Sequence, residues 1–185
     1  MKITQHNKIF YISVLFFLML TNITSAQKNL KVNKARINNN LKKLSTFGMN
    51  EKGGNDRVAF SDFDIQARTY LSSYLNNLGV LTYTDAAGNL IAKRMGKKKK
   101  AKPIAFGSHI DAVPNGGHYD GDVGVIGGIE VLETLVENNI VTNHPLELII
   151  FSNEEGAIFG SRAIAGKIDQ ALSLIHISEP TRPID

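Results

Sequence analysis

Gly107-Ser108-His109-Ile110-Asp111-Ala112-Val113-Pro114-Asn115-Gly116-Gly117-His118-Tyr119-Asp120-Gly121-Asp122 is the stretch whose reading decides the fold. It follows a short apolar run over residues 103–106 that reads as a buried strand, and it sets histidines and carboxylates among glycines. A second acidic group, Asn153-Glu154-Glu155-Gly156, follows a second apolar run, Leu146–Phe151. Open α/β sheets bind ligands at the carboxyl ends of their strands. Two strand ends carrying these residue types therefore describe one candidate metal site, contributed by two segments.

The spacing gives each residue a candidate role. His109 and Asp111 are separated by one residue, so in extended chain their side chains point the same way. That suits a metal-bound imidazole oriented by a carboxylate, or two ligands of one site. Asp120 lies in a glycine-flanked loop just before a helix, where its two oxygens could bridge two cations while the backbone passes close by. Glu154 and Glu155 follow their strand directly, and adjacent side chains point apart. One could bind metal while the other takes a proton from an activated water. Each residue alone also fits a structural role, as a strand-end histidine, a solvated Glu pair or an Asp in a turn. Their joint order at strand ends favours the site.

Working outward, residues 27–44 place Leu30, Ile37, Leu41 and Leu44 at helical spacing, which predicts a surface helix packing one narrow stripe. Residues 48–56, with Gly53-Gly54, read as a loop. Ser61-Asp62-Phe63-Asp64 resembles a capping box, opening a helix with Ile65, Tyr70, Leu71, Tyr74, Leu75 and Leu78 inward and Gly79 as its stop. Residues 80–84 and 89–92 read as a hairpin around the turn Asp85-Ala86-Ala87-Gly88. Residues 123–138 read as a helix with Val125, Ile129, Leu132, Leu135 and Val136 on one face. His144 precedes Pro145 in a turn, Leu146–Phe151 reads as a central strand, and residues 161–168 start another helix. Strands alternating with helices make the fold class α/β, a layered sheet flanked by helices.

Composition narrows the function classes. With 43% apolar and 21% charged residues the 185-residue chain is globular rather than disordered. The net charge of +4 rests on Lys2 and Lys8 and on the run Lys97-Lys98-Lys99-Lys100 with Lys102. That run has no interleaved aromatics and reads as a solvated turn, so no nucleic-acid partner is expected. Lys2 and Lys8 precede an apolar stretch over residues 9–20, and Thr24-Ser25-Ala26 supplies small residues for a cut. This predicts a signal peptide over residues 1–26 and an exported protein, periplasmic or secreted, with no membrane association after cleavage. Twelve helical residues would span roughly 18 Å, short of a hydrocarbon core of about 30 Å. There is no cysteine, so a metal site must use nitrogen and oxygen ligands. The glycines at 121, 124, 127 and 128 lack the G-x-G-x-x-G spacing, which excludes a dinucleotide loop. Asp120-Gly121-Asp122-Val123-Gly124 lacks the later oxygens of a calcium loop.

Gly107-Ser108-His109-Ile110-Asp111-Ala112-Val113-Pro114, Gly116-Gly117-His118-Tyr119-Asp120-Gly121 and Asn153-Glu154-Glu155-Gly156, together with Asp85-Ala86-Ala87-Gly88-Asn89-Leu90, resemble the hydantoinase/carbamoylase family of binuclear amidohydrolases. The resemblance runs from about Arg57 to Gly166 and implies the N-terminal part of a zinc-peptidase-like catalytic domain, truncated before the dimerisation domain. It implies that His109, Asp120 and Glu155 are metal ligands, that Asp111 orients His109, and that Glu154 is the general base. The implied cofactors are two divalent metal ions, zinc first, with manganese, cobalt or nickel as alternatives. The implied substrates are small amides or ureido compounds such as N-carbamoyl-L-amino acids, and the implied parent is a homodimer. A dipeptidase, a deacylase or a non-catalytic binding domain would share the fold. Residues 172–182 resemble a translated sequencing adapter, so residues 27–171 are expected to be a partial catalytic domain and residues 172–185 a non-native tail without function. The further metal ligands of the family would lie beyond that point, and the chain by itself is expected to be inactive.

Overall fold

The computed structural model describes residues 29–168. The expected signal peptide and the adapter-like tail lie outside the described residues. Helix α1 (Lys34–Ser45) starts later than the apolar spacing suggested, because Asn33 caps it by accepting from the Arg36 N–H at 3.1 Å. Its Leu41 and Leu44 are buried. Helix α2 (Asp62–Asn77) opens at Ser61, whose hydroxyl accepts from the Asp64 N–H at 3.4 Å. The box closes one residue early: the Asp64 carboxylate accepts from the N–H of Phe60 at 3.0 Å, Phe60 being in the left-handed region at φ 64. Gly79, at φ 76, ends the helix as expected.

Strands β1 (Leu81–Thr84) and β2 (Leu90–Arg94) form the expected hairpin. Strand β3 (Ile104–His109), helix α3 (Asp122–Glu137) and strand β4 (Leu146–Phe151) follow, then two short helices, α4 (Glu154–Ala157) and α5 (Phe159–Ile164). The sheet order is β1-β2-β4-β3, antiparallel for β1/β2 and β2/β4 and parallel for β3/β4. The parallel pair needs a crossover, and α3 supplies it. Register places Leu90, Ala92, Leu148 and Ile150 on one sheet face, where they join Leu71, Leu75, Ile126, Ile129 and Leu132 in one buried cluster. The fold is thus a mixed α/β sheet flanked by helices.

Four expectations need correction. Ile65 is 55% exposed, because Ala67, Leu71 and Leu75 define the inner face of α2 and position 65 lies well round the helix from them. Residues 103–106 are not a buried strand. β3 begins with exposed Ile104 and Ala105 because it pairs with β4 alone among the described strands. The helix expected over residues 161–168 is α5, which starts earlier, at Phe159, and ends at Ile164; Ile158 at φ 52 separates it from the short α4, which was not expected. The acidic pair does not follow β4 directly: Ser152 and Asn153 intervene, and Asn153 at φ 47 turns the chain into α4. The lysine run behaves as expected, with Lys97, Lys98, Lys99 and Lys100 all exposed.

The apolar reading of α3 also missed two buried carboxylates, Glu130 and Glu133. Arg36 accounts for both, with Nε 2.7 Å from Glu130 Oε2 and Nη1 3.0 Å from Glu133 Oε1. The Asn33 N–H donates to Glu130 at 2.6 Å, and the Tyr74 hydroxyl donates to Glu133 at 2.6 Å. One ionic knot therefore ties α1, α2 and α3 together. Burial works to raise the Glu130 carboxyl, but Arg36 and the Asn33 N–H hold it below its ordinary value. Burial and the bond to Glu133 push the Tyr74 hydroxyl up to about 12.

Candidate functional site

His109 is the last residue of β3, and Asp111 sits in the turn that leaves the sheet. Both are buried, at 8% and 2% exposure. The imidazole Nδ1–H donates to the Asp111 carbonyl at 3.1 Å and lies 3.7 Å from the Asp111 carboxylate oxygen Oδ1. Its other nitrogen, Nε2, lies 3.6 Å from Glu154 Oε2. Asp111 Oδ2 accepts from the backbone N–H of Glu155 at 3.1 Å. One carboxylate thereby joins the turn after β3 to the first residues of α4, and the two sequence motifs meet as the spacing suggested.

Asp120 arrives from the other side. Its carbonyl accepts from the Asp122 N–H at 2.6 Å as the chain turns into α3. Gly121, between them, has φ 67, and a Cβ there would stand 2.5 Å from the His109 carbonyl and 2.6 Å from its Nε2. Only glycine lets this turn lie against the imidazole. Asp120 itself is exposed.

The electrostatics follow from this crowding. Asp111 beside it raises the His109 imidazole to about 9, against the effect of burial. Burial would raise Asp111, but His109 and the Glu155 and Glu154 N–H groups hold it below its ordinary value. Burial raises Glu155, and the charges of Asp120, Glu154 and Asp111 add to that while His109 opposes it. Glu155 thus feels every other member of the predicted set. Asp111 Oδ1 is buried with no hydrogen-bond partner.

That orphaned oxygen beside an imidazole and three further carboxylates is a donor set that suits a divalent cation. As they stand, no group of three such residues among the described residues is drawn together as a ligand cage. A cation would have to displace the imidazolium proton and draw the carboxylates inward.

His118 is not among them: its Nε2–H donates to the Gly53 carbonyl at 2.8 Å, fastening the loop at residues 48–56. That loop is further held by the Asn55 N–H to the Gly116 carbonyl at 3.0 Å and the Asn115 N–H to Asp56 at 2.7 Å. His144 is the turn residue expected, with its Nδ1–H donating to the Lys102 carbonyl at 2.9 Å.

Sequence reasoning missed the residues that hold the site from behind. Asn89, fully buried, accepts from the Ser152 N–H at 3.0 Å and donates to the Gly160 carbonyl at 3.2 Å. Arg68 donates to the Phe151 carbonyl at 2.8 Å and pairs with Asp64 at 2.9 Å. Arg57 and Asp122, each 1% exposed, form a two-pronged pair at 2.8 and 2.6 Å. Burial pushes Asp122 up to about 6 against the pull of Arg57. The signal available was charge beside apolar runs: Arg57 precedes Val58-Ala59-Phe60, and Asp122 precedes the uncharged run Val123-Gly124-Val125-Ile126-Gly127-Gly128-Ile129.

Residues 105–185 match peptidase family M20/M25/M40. Over 133 residues the chain is 41% identical to an N-carbamoyl-L-amino acid amidohydrolase of Geobacillus stearothermophilus, covering 69% of this chain and 32% of that one. It is 40% identical over 123 residues to a ureidoglycolate hydrolase of Oryza sativa subsp. japonica, covering 64% and 25%. The crystal structure of a hydantoinase/carbamoylase family amidase from Burkholderia ambifaria superposes with a TM-score of 0.75 at 37% identity, covering 78% of this chain and 37% of that one. The chain spans about a quarter to a third of the length of the curated relatives it matches.

Proposed function

The chain belongs to the hydantoinase/carbamoylase family, and from that premise we propose that its parent protein hydrolyses carbon–nitrogen bonds in linear amides, N-carbamoyl-L-amino acids or related ureido compounds foremost. The observation that carries the reading is the meeting of two motifs at one imidazole, with Asp111 behind His109 and Glu154 3.6 Å in front of it. His109, Asp120 and Glu155 would hold two divalent cations, zinc first among them and manganese, cobalt or nickel after it. When bound, such cations lower the pKa of water and polarise a carbonyl.

The remaining roles fall to this chain's own side chains. Asp111 keeps Nδ1 of His109 protonated and leaves Nε2 for ligation. Glu154, half-buried at 34% exposure and facing Nε2 of His109, takes the water's proton at its carboxylate and passes it to the leaving nitrogen. Gly121 allows Asp120 to approach. The 185-residue chain alone is proposed to be inactive, because its match spans about a third of an N-carbamoyl-L-amino acid amidohydrolase. The parent is proposed to be a homodimer and to be exported with a mature start at Gln27, which N-terminal sequencing would check.

The test is a substrate panel on the full-length parent loaded with zinc or manganese. It should hydrolyse N-carbamoyl-L-amino acids, and Glu154→Ala should lower kcat by about a hundredfold or more while metal content is retained. A Glu154→Ala parent with unchanged turnover refutes the assignment of the base. The match to a peptidase family favours dipeptidase or deacylase activity as a second reading. Cleavage of dipeptides without cleavage of ureido compounds would establish it. Turnover by the 185-residue chain near parent levels would refute its inactivity.

A further inference from the structure

The candidate site is assembled from separate segments. The turn after β3 carries His109 and Asp111, and the N-terminus of α3 follows Asp120. One side chain is bonded to both. Arg57 is 1% exposed. Its Nε donates to the Ile110 carbonyl at 2.6 Å, and its Nη2 donates to Asp122 Oδ1 at 2.8 Å and Oδ2 at 2.6 Å. Its Nη1 donates to the carbonyls of Leu44 at 2.8 Å and Phe47 at 2.9 Å, at the end of α1. Every N–H of the guanidinium therefore has an acceptor. The Arg57 backbone carbonyl accepts from the Ala112 N–H at 2.9 Å. Ile110 and Ala112 flank Asp111, so Arg57 grips the main chain on both sides of the residue that orients His109. Asp122 in turn donates its N–H to the Asp120 carbonyl at 2.6 Å.

Stability is a weak reason for such an arrangement, since a buried ion pair often does no better than an apolar replacement of equal volume. Fixed geometry is a strong one: a guanidinium presents donors in a rigid planar fork, whereas an ammonium offers three donors on one nitrogen. Building on the proposed metal site, we infer that Arg57 is a positioning residue that sets the separation and orientation of the His109–Asp111 pair relative to Asp120. It touches neither metal nor substrate and acts through the main chain of Ile110 and Ala112 and through Asp122. Arg57→Lys keeps the charge opposite Asp122 but cannot reach all of these acceptors at once.

The experiment compares wild type, Arg57→Lys and Val80→Ala in the 185-residue chain at a temperature where all are folded. Val80→Ala truncates a buried core residue just beyond the end of α2 and controls for lost stability. Two quantities are read: affinity for cobalt(II) with its visible absorption bands, and the metal-free imidazole nitrogen shifts of His109. Arg57→Lys should weaken cobalt binding by about 10–100-fold, the range for residues that hold ligands from behind, and should move the His109 shifts. Val80→Ala should change neither. A folded Arg57→Lys chain with wild-type affinity and unmoved His109 shifts overturns the inference, as does Val80→Ala reproducing its effects. If wild type takes up no cobalt, His109, Asp120 and Glu155 do not suffice for a site in this chain, the metal reading is decided by metal content of the full-length parent, and the His109 shifts decide the role of Arg57 alone. If Arg57→Lys does not fold, the isosteric Asp122→Asn is read in the same two assays, and unchanged affinity and shifts there overturn the inference equally.

Discussion

Asn89→Ala is the perturbation whose cost can be worked most directly from the structure. The Asn89 carboxamide has no exposure and makes three bonds: it accepts from the Ser152 N–H at 3.0 Å and donates to Asp85 Oδ2 at 2.9 Å and to the Gly160 carbonyl at 3.2 Å. Truncation leaves the Ser152 N–H and the Gly160 carbonyl without those partners in a buried place, while the less enclosed Asp85 oxygen can turn to water. The Gly160 carbonyl keeps its bond within α5, so the one stranded buried group is the Ser152 N–H, at about 1–3 kcal/mol of lost stability. That is a sizeable fraction of what a domain of this size commands, about 5–15 kcal/mol. The assay is equilibrium urea unfolding, read as a shift of the midpoint at constant slope. Asn89→Asp separates the contributions. It keeps an acceptor for Ser152 but loses the donor to Gly160 and sets a second carboxylate against Asp85. At neutral pH it should cost at least as much as alanine, and it should recover part of the loss in acid, because a buried carboxyl with a raised folded pKa is stabilised by protonation. An Asn89→Ala chain as stable as wild type, below the roughly 1–3 kcal/mol for a stranded buried group, would refute the reasoning. The consequence for the site is direct, since the held segment, Ser152 and Asn153, leads into Glu154 and Glu155.

Two further outcomes are expected. Gly107→Ala should cost about 3 kcal/mol or more, the upper range for overpacking, because a Cβ at that place in β3 would be driven into the Ile149 carbonyl of the parallel partner strand; a melting temperature equal to wild type would count against the close approach. Glu130 is held below its ordinary carboxyl value of 4.5, so it contributes stability above that pH and loses it as the pH falls below it. Acid titration of unfolding should show that loss in wild type and a flatter profile in Glu130→Gln, and identical profiles would remove the Arg36 knot as its cause.

Much of this fold could be read residue by residue. The bounds of β4 coincide with its apolar run, Gly79 ends α2, and Ser61 caps it, because each depends on neighbours within a helical turn or a strand's alternation. The candidate site was legible for a similar reason. His109, Asp111, Asp120 and the acidic pair stand at element ends, which local pattern can locate. Where it failed, the deciding partner was distant in sequence. Asp64 rather than Ile65 turns inward because Arg68 and the Phe60 N–H bind it, and β3 has an exposed start because sheet order puts it outside β4.

The sequence by itself determined which residue types could do chemistry and at which strand ends they stand. Only the tertiary structure decided how they are held. It joins Asp111 to the N–H of Glu155, 44 residues away, and Arg57 to Asp122, 65 residues away. It also buries Glu130 against an arginine 94 residues earlier. Periodicity reports which way a side chain points relative to its own element. The partner that makes a buried charge tolerable is chosen by the packing of whole elements, and no local spacing encodes it.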